Sequence, residues 1–151
     1  MAARLLIADS AYVLSLIRGG AWVEHSRLPR SAQALLPGVR ALDDGQLEAA
    51  IQVAEDWLTP HAAALQGEAL EVSDVTGRLV SGFSAVLASA ERAWSIEALE
   101  RAFLRVVDLA TGRVAPPHLQ AHRAFVADLL LLRELAHHGR LSSVRLISIP
   151  P

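Results

Sequence analysis

A chain of 151 residues with 52% hydrophobic residues is long enough to bury one substantial core, and 1–151 reads as a single domain. The absence of cysteine excludes disulfides, thiolate nucleophiles, cysteine-based zinc sites and iron–sulfur clusters. A formal charge of −2, with acids and arginines interspersed, gives no electrostatic footprint for nucleic acid or an anionic membrane.

Aromatic residues supply only 5% of the chain, so the core is aliphatic, and its alanines and leucines favour helices. All 14 cationic side chains are arginines, and asparagine is absent too, a bias that a GC-rich coding sequence produces without selection on function. Arginine pairs bidentately with carboxylates, which suits this surface to polar interfaces.

In chain order, Leu5–Ala8 is a short apolar run. The opening segment resembles a signal-peptide core until Asp9 interrupts it, with only Arg4 ahead and no small-residue cleavage site behind. No apolar run approaches the ~20 residues needed to span a bilayer. A soluble, cytoplasmic protein without a membrane partner is the expectation. Tyr12–Ile17 and Ala21–Glu24 flank Gly19-Gly20, a hairpin signal. The same stretch also reads as a helix from Ser10 to Arg18 stopped by Gly19.

Residues 28–42, punctuated by Pro29, Pro37 and Gly38, are connective. Asp43 or Asp44 then caps an amphipathic helix with Leu47, Ile51, Ala54 and Leu58 on one stripe, interrupted at Thr59-Pro60. Ala69–Ser73 is a candidate strand. A helical pattern runs from Arg78 to Trp94, and Gly82 weakens it by roughly 1 kcal/mol unless a neighbour packs close there. Ser95 caps a further helix over Ile96–Ala110, stopped at Thr111-Gly112. The longest helical pattern lies within 116–139. It holds the run Leu129–Leu132 and four of the six histidines. Residues 144–149 (VRLISI) read as one last strand.

The expected fold is therefore mainly α, with α+β as the alternative. Four to five amphipathic helices would pack around helix 117–138, with a small sheet or hairpin from segments 4–28 and 144–149. Between Phe125 and Leu135 only Asp128 and the Arg133-Glu134 pair are polar, so that helix must be buried on every side. Either it is the centre of a bundle or it contributes Phe125, Leu129 and Leu132 to a subunit interface. The leading functional expectation follows: a non-catalytic interaction or accessory protein, a homo-oligomer or a binder of another protein, with no cofactor.

Two chemical alternatives stand beside it. His118 and His122, at i and i+4 on a helix, project to one side and suit a shared metal ion. His61, Glu55 and Asp128 are the nominal third ligands. A metal-dependent hydrolase or nuclease would use this pair or a carboxylate set that includes Asp9. His137 and His138, in the last turn of the same helix, are explained by the unpaired carbonyls and negative dipole end there. The segment LLIADSAYVLSLI, residues 5–17, is similar to the opening of PIN-domain nucleases over about a dozen residues. That resemblance implies magnesium ligation by Asp9, whereas the residues themselves equally allow Asp9-Ser10 to turn the chain. A third expectation takes Leu99–Phe125 as a helix-turn-helix, with Arg113 and Arg123 touching phosphates of DNA. Gly82-Phe83-Ser84-Ala85-Val86 lacks the second glycine of a serine-hydrolase elbow, and no glycine-rich phosphate loop is present.

Overall fold

The structure, a computed structural model, describes residues 2–38, 41–112, 119 and 121–147. Its organising layer is a six-stranded mixed sheet in the order β3-β2-β1-β4-β6-β5. The strands are β1 (Ala2–Ile7), β2 (Tyr12–Arg18), β3 (Ala21–Leu28), β4 (Ala69–Asp74), β5 (Ala93–Trp94) and β6 (Ser143–Leu146). β1, β2 and β3 form an antiparallel meander. β4 joins β1 in parallel, from Ala2 opposite Ala69 to Ile7 opposite Asp74. β6 adds in parallel to β4, and β5 closes that edge antiparallel to β6.

The mainly α expectation is thus overturned: this is an α/β fold in which the sheet extends well beyond a terminal hairpin. The ambiguous stretch after Ser10 is strand, and Gly19 and Gly20 both take positive φ, 59° and 80°. Two consecutive left-handed residues give a turn whose twist matches that of the flanking strands, and an L side chain would be strained at either position.

Alternation along β1 sends Ala3, Leu5 and Ile7 into the core at 0% exposure, with Arg4 and Leu6 half-buried on the opposite face. There Arg4 pairs with Glu71 of β4 at 2.8 Å and lies over the Trp22 ring. The core face is covered by helices α1 (Ala32–Leu35), α2 (Asp44–Leu58), α3 (Ala62–Leu65), α4 (Arg78–Leu87), α5 (Ile96–Thr111) and α6 (Arg123–His138). α6 is the hub, packed against α1, α2, α4 and α5.

Local chemistry explains the helix ends. Asp43 forms a reciprocal capping box with Gln46, and Ser95 accepts from the Ala98 amide. Pro60 sits in a short 3-10 turn, Thr59–His61, between α2 and α3. The helical pattern read from Arg78 to Trp94 stops at Leu87, where Ala88 takes a left-handed φ of 51° and ends the helix. The chain then returns to the sheet as β5. Among the described residues no helix is long and apolar enough to cross a membrane.

Candidate functional site at the carboxyl edge of the central strands

Adjacent parallel strands β1 and β4 end side by side, and in open α/β sheets ligands bind beyond the carboxyl ends of such strands. Three aspartates gather at this edge. Asp9 follows β1 in the exposed turn that the Ala8 amide closes onto the Ala11 carbonyl at 3.1 Å. Asp74 is the last residue of β4. Asp128 comes from α6 behind them and is completely buried.

Each carboxylate has a different occupation. Asp128 receives the Tyr12 hydroxyl at 2.7 Å and a fork from Arg78, Nε at 2.9 Å and Nη2 at 3.0 Å. One buried network therefore ties β2, α4 and α6 together. Burial pushes the Asp128 carboxyl up to about 6, against the opposing pull of Arg78 and then Tyr12. Burial also raises the Tyr12 hydroxyl, reinforced by the Asp128 charge, so the phenol stays a donor. Burial works against the Arg78 charge, but its hydrogen bonds to Asp128 outweigh that and raise it overall.

Asp74 instead organises the turn into α4. Its Oδ1 accepts from the Thr76 amide and hydroxyl, and its Oδ2 accepts from the Leu79 amide at 2.9 Å. Oδ2 retains acceptor capacity beyond that bond. Asp9, in the exposed turn, is the carboxylate of the three that solvent reaches most readily.

Sequence reasoning singled out Asp9 and Asp128 but missed Tyr12, Arg78 and Asp74. The signal for Arg78 and Tyr12 was indirect: a carboxylate inside an apolar helix requires buried donors. Other candidates are dispersed. His118 and Arg113 lie outside the described residues. His122 is half-buried in the turn that opens α6, and its side chain caps no amide. His61 is turned away from this edge: its Nδ1 lies 2.9 Å from His25 Nε2, and burial followed by the neighbouring imidazole lowers its pKa. Glu55 lies on α2, close to His138 at the far end of α6.

The interface expectation is corrected outright. Phe125, Leu129 and Leu132 are 1%, 0% and 0% exposed within a single chain, so they build its core and present no seam to a partner. The same burial removes the helix-turn-helix reading, since α6 has no face for a DNA groove. Arg123 is spent inside the protein, donating to the Leu36 carbonyl at 2.9 Å and the Pro37 carbonyl at 2.7 Å.

Two clefts of about 470 and 450 Å³ open at the opposite edge of the sheet, near Ala2. They are lined largely by small and apolar side chains, with the Glu71–Arg145 pair in one and Arg18 and Glu68 in the other.

No family model and no curated protein sequence matches the chain. Solved structures do match its fold. The Ppx/GppA enzyme of Aquifex aeolicus superposes with a TM-score of 0.66 at 7% identity, covering 96% of this chain and 52% of that one. An exopolyphosphatase from Cytophaga hutchinsonii gives 0.66 at 8% identity, covering 98% of this chain and 53% of the other. A type II variant of the Aquifex Ppx/GppA phosphatase gives 0.66 at 7% identity, with 96% and 52% covered. The fold is thus an α/β domain of the architecture seen in Ppx/GppA proteins, and this chain spans about half of their length. These neighbours are enzymes, which together with the buried leucines overturns the accessory-protein expectation.

Proposed function

We propose that this chain is a phosphoryl-processing hydrolase domain acting on phosphoanhydrides or phosphate esters, with the carboxyl edge of β1 and β4 as its reacting edge. One observation carries the reading. The β1–β4 register sets Ile7 opposite Asp74, so the half-buried Asp74 that ends β4 and the exposed Asp9, two residues past the end of β1, both follow the carboxyl edge of adjacent parallel strands.

Carboxylates in this position fit a divalent cation bound through oxygen, and such an ion offsets charge on phosphoryl oxygens when bound. The donor set is compatible: Asp9 is exposed and Asp74 Oδ2 has acceptor capacity to spare. Asp128 is not available for this role, because it is completely buried and held by Arg78 and Tyr12; it holds the edge in shape from behind. The solved neighbours of the fold include an exopolyphosphatase, which makes inorganic polyphosphate the first substrate to test. The cytoplasm, where phosphorylated substrates and magnesium coexist, is the compartment this reading requires.

The test is phosphate release from inorganic polyphosphate and from p-nitrophenyl phosphate with Mg²⁺ or Mn²⁺. Cation-dependent release is expected, reduced at least about tenfold in Asp9→Asn. This loss corresponds to about 1.4 kcal/mol of transition-state stabilisation. The melting temperature should be unchanged, because Asp9 is at the surface. Absence of both phosphate release and cation-dependent polyphosphate binding overturns the proposal, as does full activity in Asp9→Asn.

A further inference from the structure

A second cluster lies at the other end of α6. Asp128 and His138 are ten positions apart, which places them about 15 Å apart along the helix axis. Glu134 and His138, at i and i+4, share one face of the helix, and Glu55 approaches them from α2. His138 Nε2 is 3.0 Å from Glu134 Oε2 and 3.4 Å from Glu55 Oε1. One ligand atom from each of the three residues lies within 4.8 Å of the others.

Glu134 makes this cluster more than a surface ion pair. It is completely buried, yet its Oε2 accepts no hydrogen bond among the described residues. Its Oε1 takes Arg133 Nη1, and Arg133 is also bound by Glu100 at 2.6 Å. His138 stands near Oε2 but off the line that a hydrogen bond needs. A buried carboxylate oxygen without a donor forfeits its hydration and gains nothing in return. A metal ion would supply the missing partner.

We propose that Glu55, Glu134 and His138 form a divalent transition-metal site of the zinc class, bridging α2 to the last turn of α6. The ligand chemistry selects the class: an imidazole with two carboxylates favours Zn²⁺ over Mg²⁺ or Ca²⁺, which prefer oxygen alone. The spacing agrees. Tetrahedral bonds of 2.0–2.1 Å put ligand atoms about 3.3 Å apart, close to the 3.0 and 3.4 Å separations here. Two carboxylates balance the charge of the ion, while Arg133 is already paired with Glu100. Three protein ligands leave a fourth position, and the partial exposure of His138 and Glu55 opens it to water. The ion clamps two helices across the core face and stabilises the folded chain by mass action. The site is independent of the phosphoryl-processing edge.

Untagged protein, stripped with a chelator, tests this by equilibrium dialysis with elemental analysis and by melting with Zn²⁺. One Zn²⁺ per chain and a raised melting temperature are expected, both lost in His138→Ala and in Glu55→Gln. Those two positions are partly solvent-exposed, so the variants retain the fold, checked by circular dichroism. The His25–His61 pair is the control: His61→Ala should bind zinc like the parent. No bound zinc, zinc retained in both cluster variants, loss in His61→Ala instead, or an equal melting rise with Mg²⁺ would each overturn the assignment.

Discussion

Gly82 gives the sharpest test of how α4 seats on the hub helix. A Cβ built on it would lie 2.0 Å from Phe125 Cγ, 2.2 Å from Cδ1 and 2.6 Å from Cβ. Carbon atoms pack at about 3.5–4.0 Å, so Gly82→Ala demands a displacement of more than 1 Å. Phe125 has little room to give. It is 1% exposed and packs edge-on to Phe83 with ring centroids at 5.2 Å, while Phe83 stacks on Trp94 at 4.8 Å. Overpacking of this kind costs about 1–3 kcal/mol, and backbone-close contact places it at the upper end. Helix propensity works in the other direction, favouring alanine by about 1 kcal/mol. The net expectation is destabilisation by about 2 kcal/mol, a fall in Tm of about 4–8 °C for a domain of this size. Urea unfolding of the parent, Gly82→Ala, Phe125→Ala and the double variant measures both the cost and the coupling. In the Phe125→Ala background the added methyl enters vacated space and should be neutral or stabilising. A Gly82→Ala protein as stable as the parent, or more so, would refute the close approach of α4 to α6.

Two further predictions concern stability. Asp128 has its pKa raised by burial to about 6, so the native state holds its proton more tightly than the unfolded chain does. Its stabilising contribution is therefore full below about pH 4 and is lost as pH rises to about 6, with a slope of up to about 1.4 kcal/mol per unit. The stability difference between the parent and Asp128→Asn, followed by urea unfolding from pH 4 to 7, should shrink across that window; a flat or opposite trend shows that Arg78 pairing outweighs burial. Asp43→Ala removes the capping box of α2 and should cost about 1 kcal/mol, measured by the same unfolding. An unchanged midpoint would mean that the first turn of α2 gains nothing from its cap.

What the sequence disclosed was what local chemistry encodes. The Ser95 cap and the Thr59-Pro60 interruption each act over a few residues and are found where they were read, while the structure decides between the two readings left open at Asp43 or Asp44 and at Gly19-Gly20, as a cap by Asp43 and a hairpin turn. The central parallel pairing acts over most of the chain: Ala2 meets Ala69, and Ala69 meets Ser143, with no local signal linking them. β5 is two residues long inside a segment of helical pattern, and the left-handed Ala88 that frees it has no glycine or asparagine to mark it. Most strands were therefore legible one by one, Ala69–Ser73 among them, but their assembly into one sheet was not, and the fold class was misread. The candidate site shared that fate, since Tyr12, Arg78 and Asp128 converge only after the sheet and α6 are assembled.

The hub helix was read correctly as buried, and that burial sharpens the meaning of its acids. Asp128 and Glu134 are both at 0% exposure on the same helix, so each faces the same penalty for a charge removed from water. Asp128 meets it with three donated hydrogen bonds from Tyr12 and Arg78, at least one on each oxygen. Glu134 meets it by half among the described residues, with Arg133 on one oxygen and, 3.0 Å from the other, only a His138 nitrogen that is out of line for a hydrogen bond. Asp128, less than two turns earlier, has an aligned donor on each oxygen. The asymmetry therefore separates their roles: Asp128 is a fastener behind the strand edge, and Glu134 keeps an oxygen for something that arrives later.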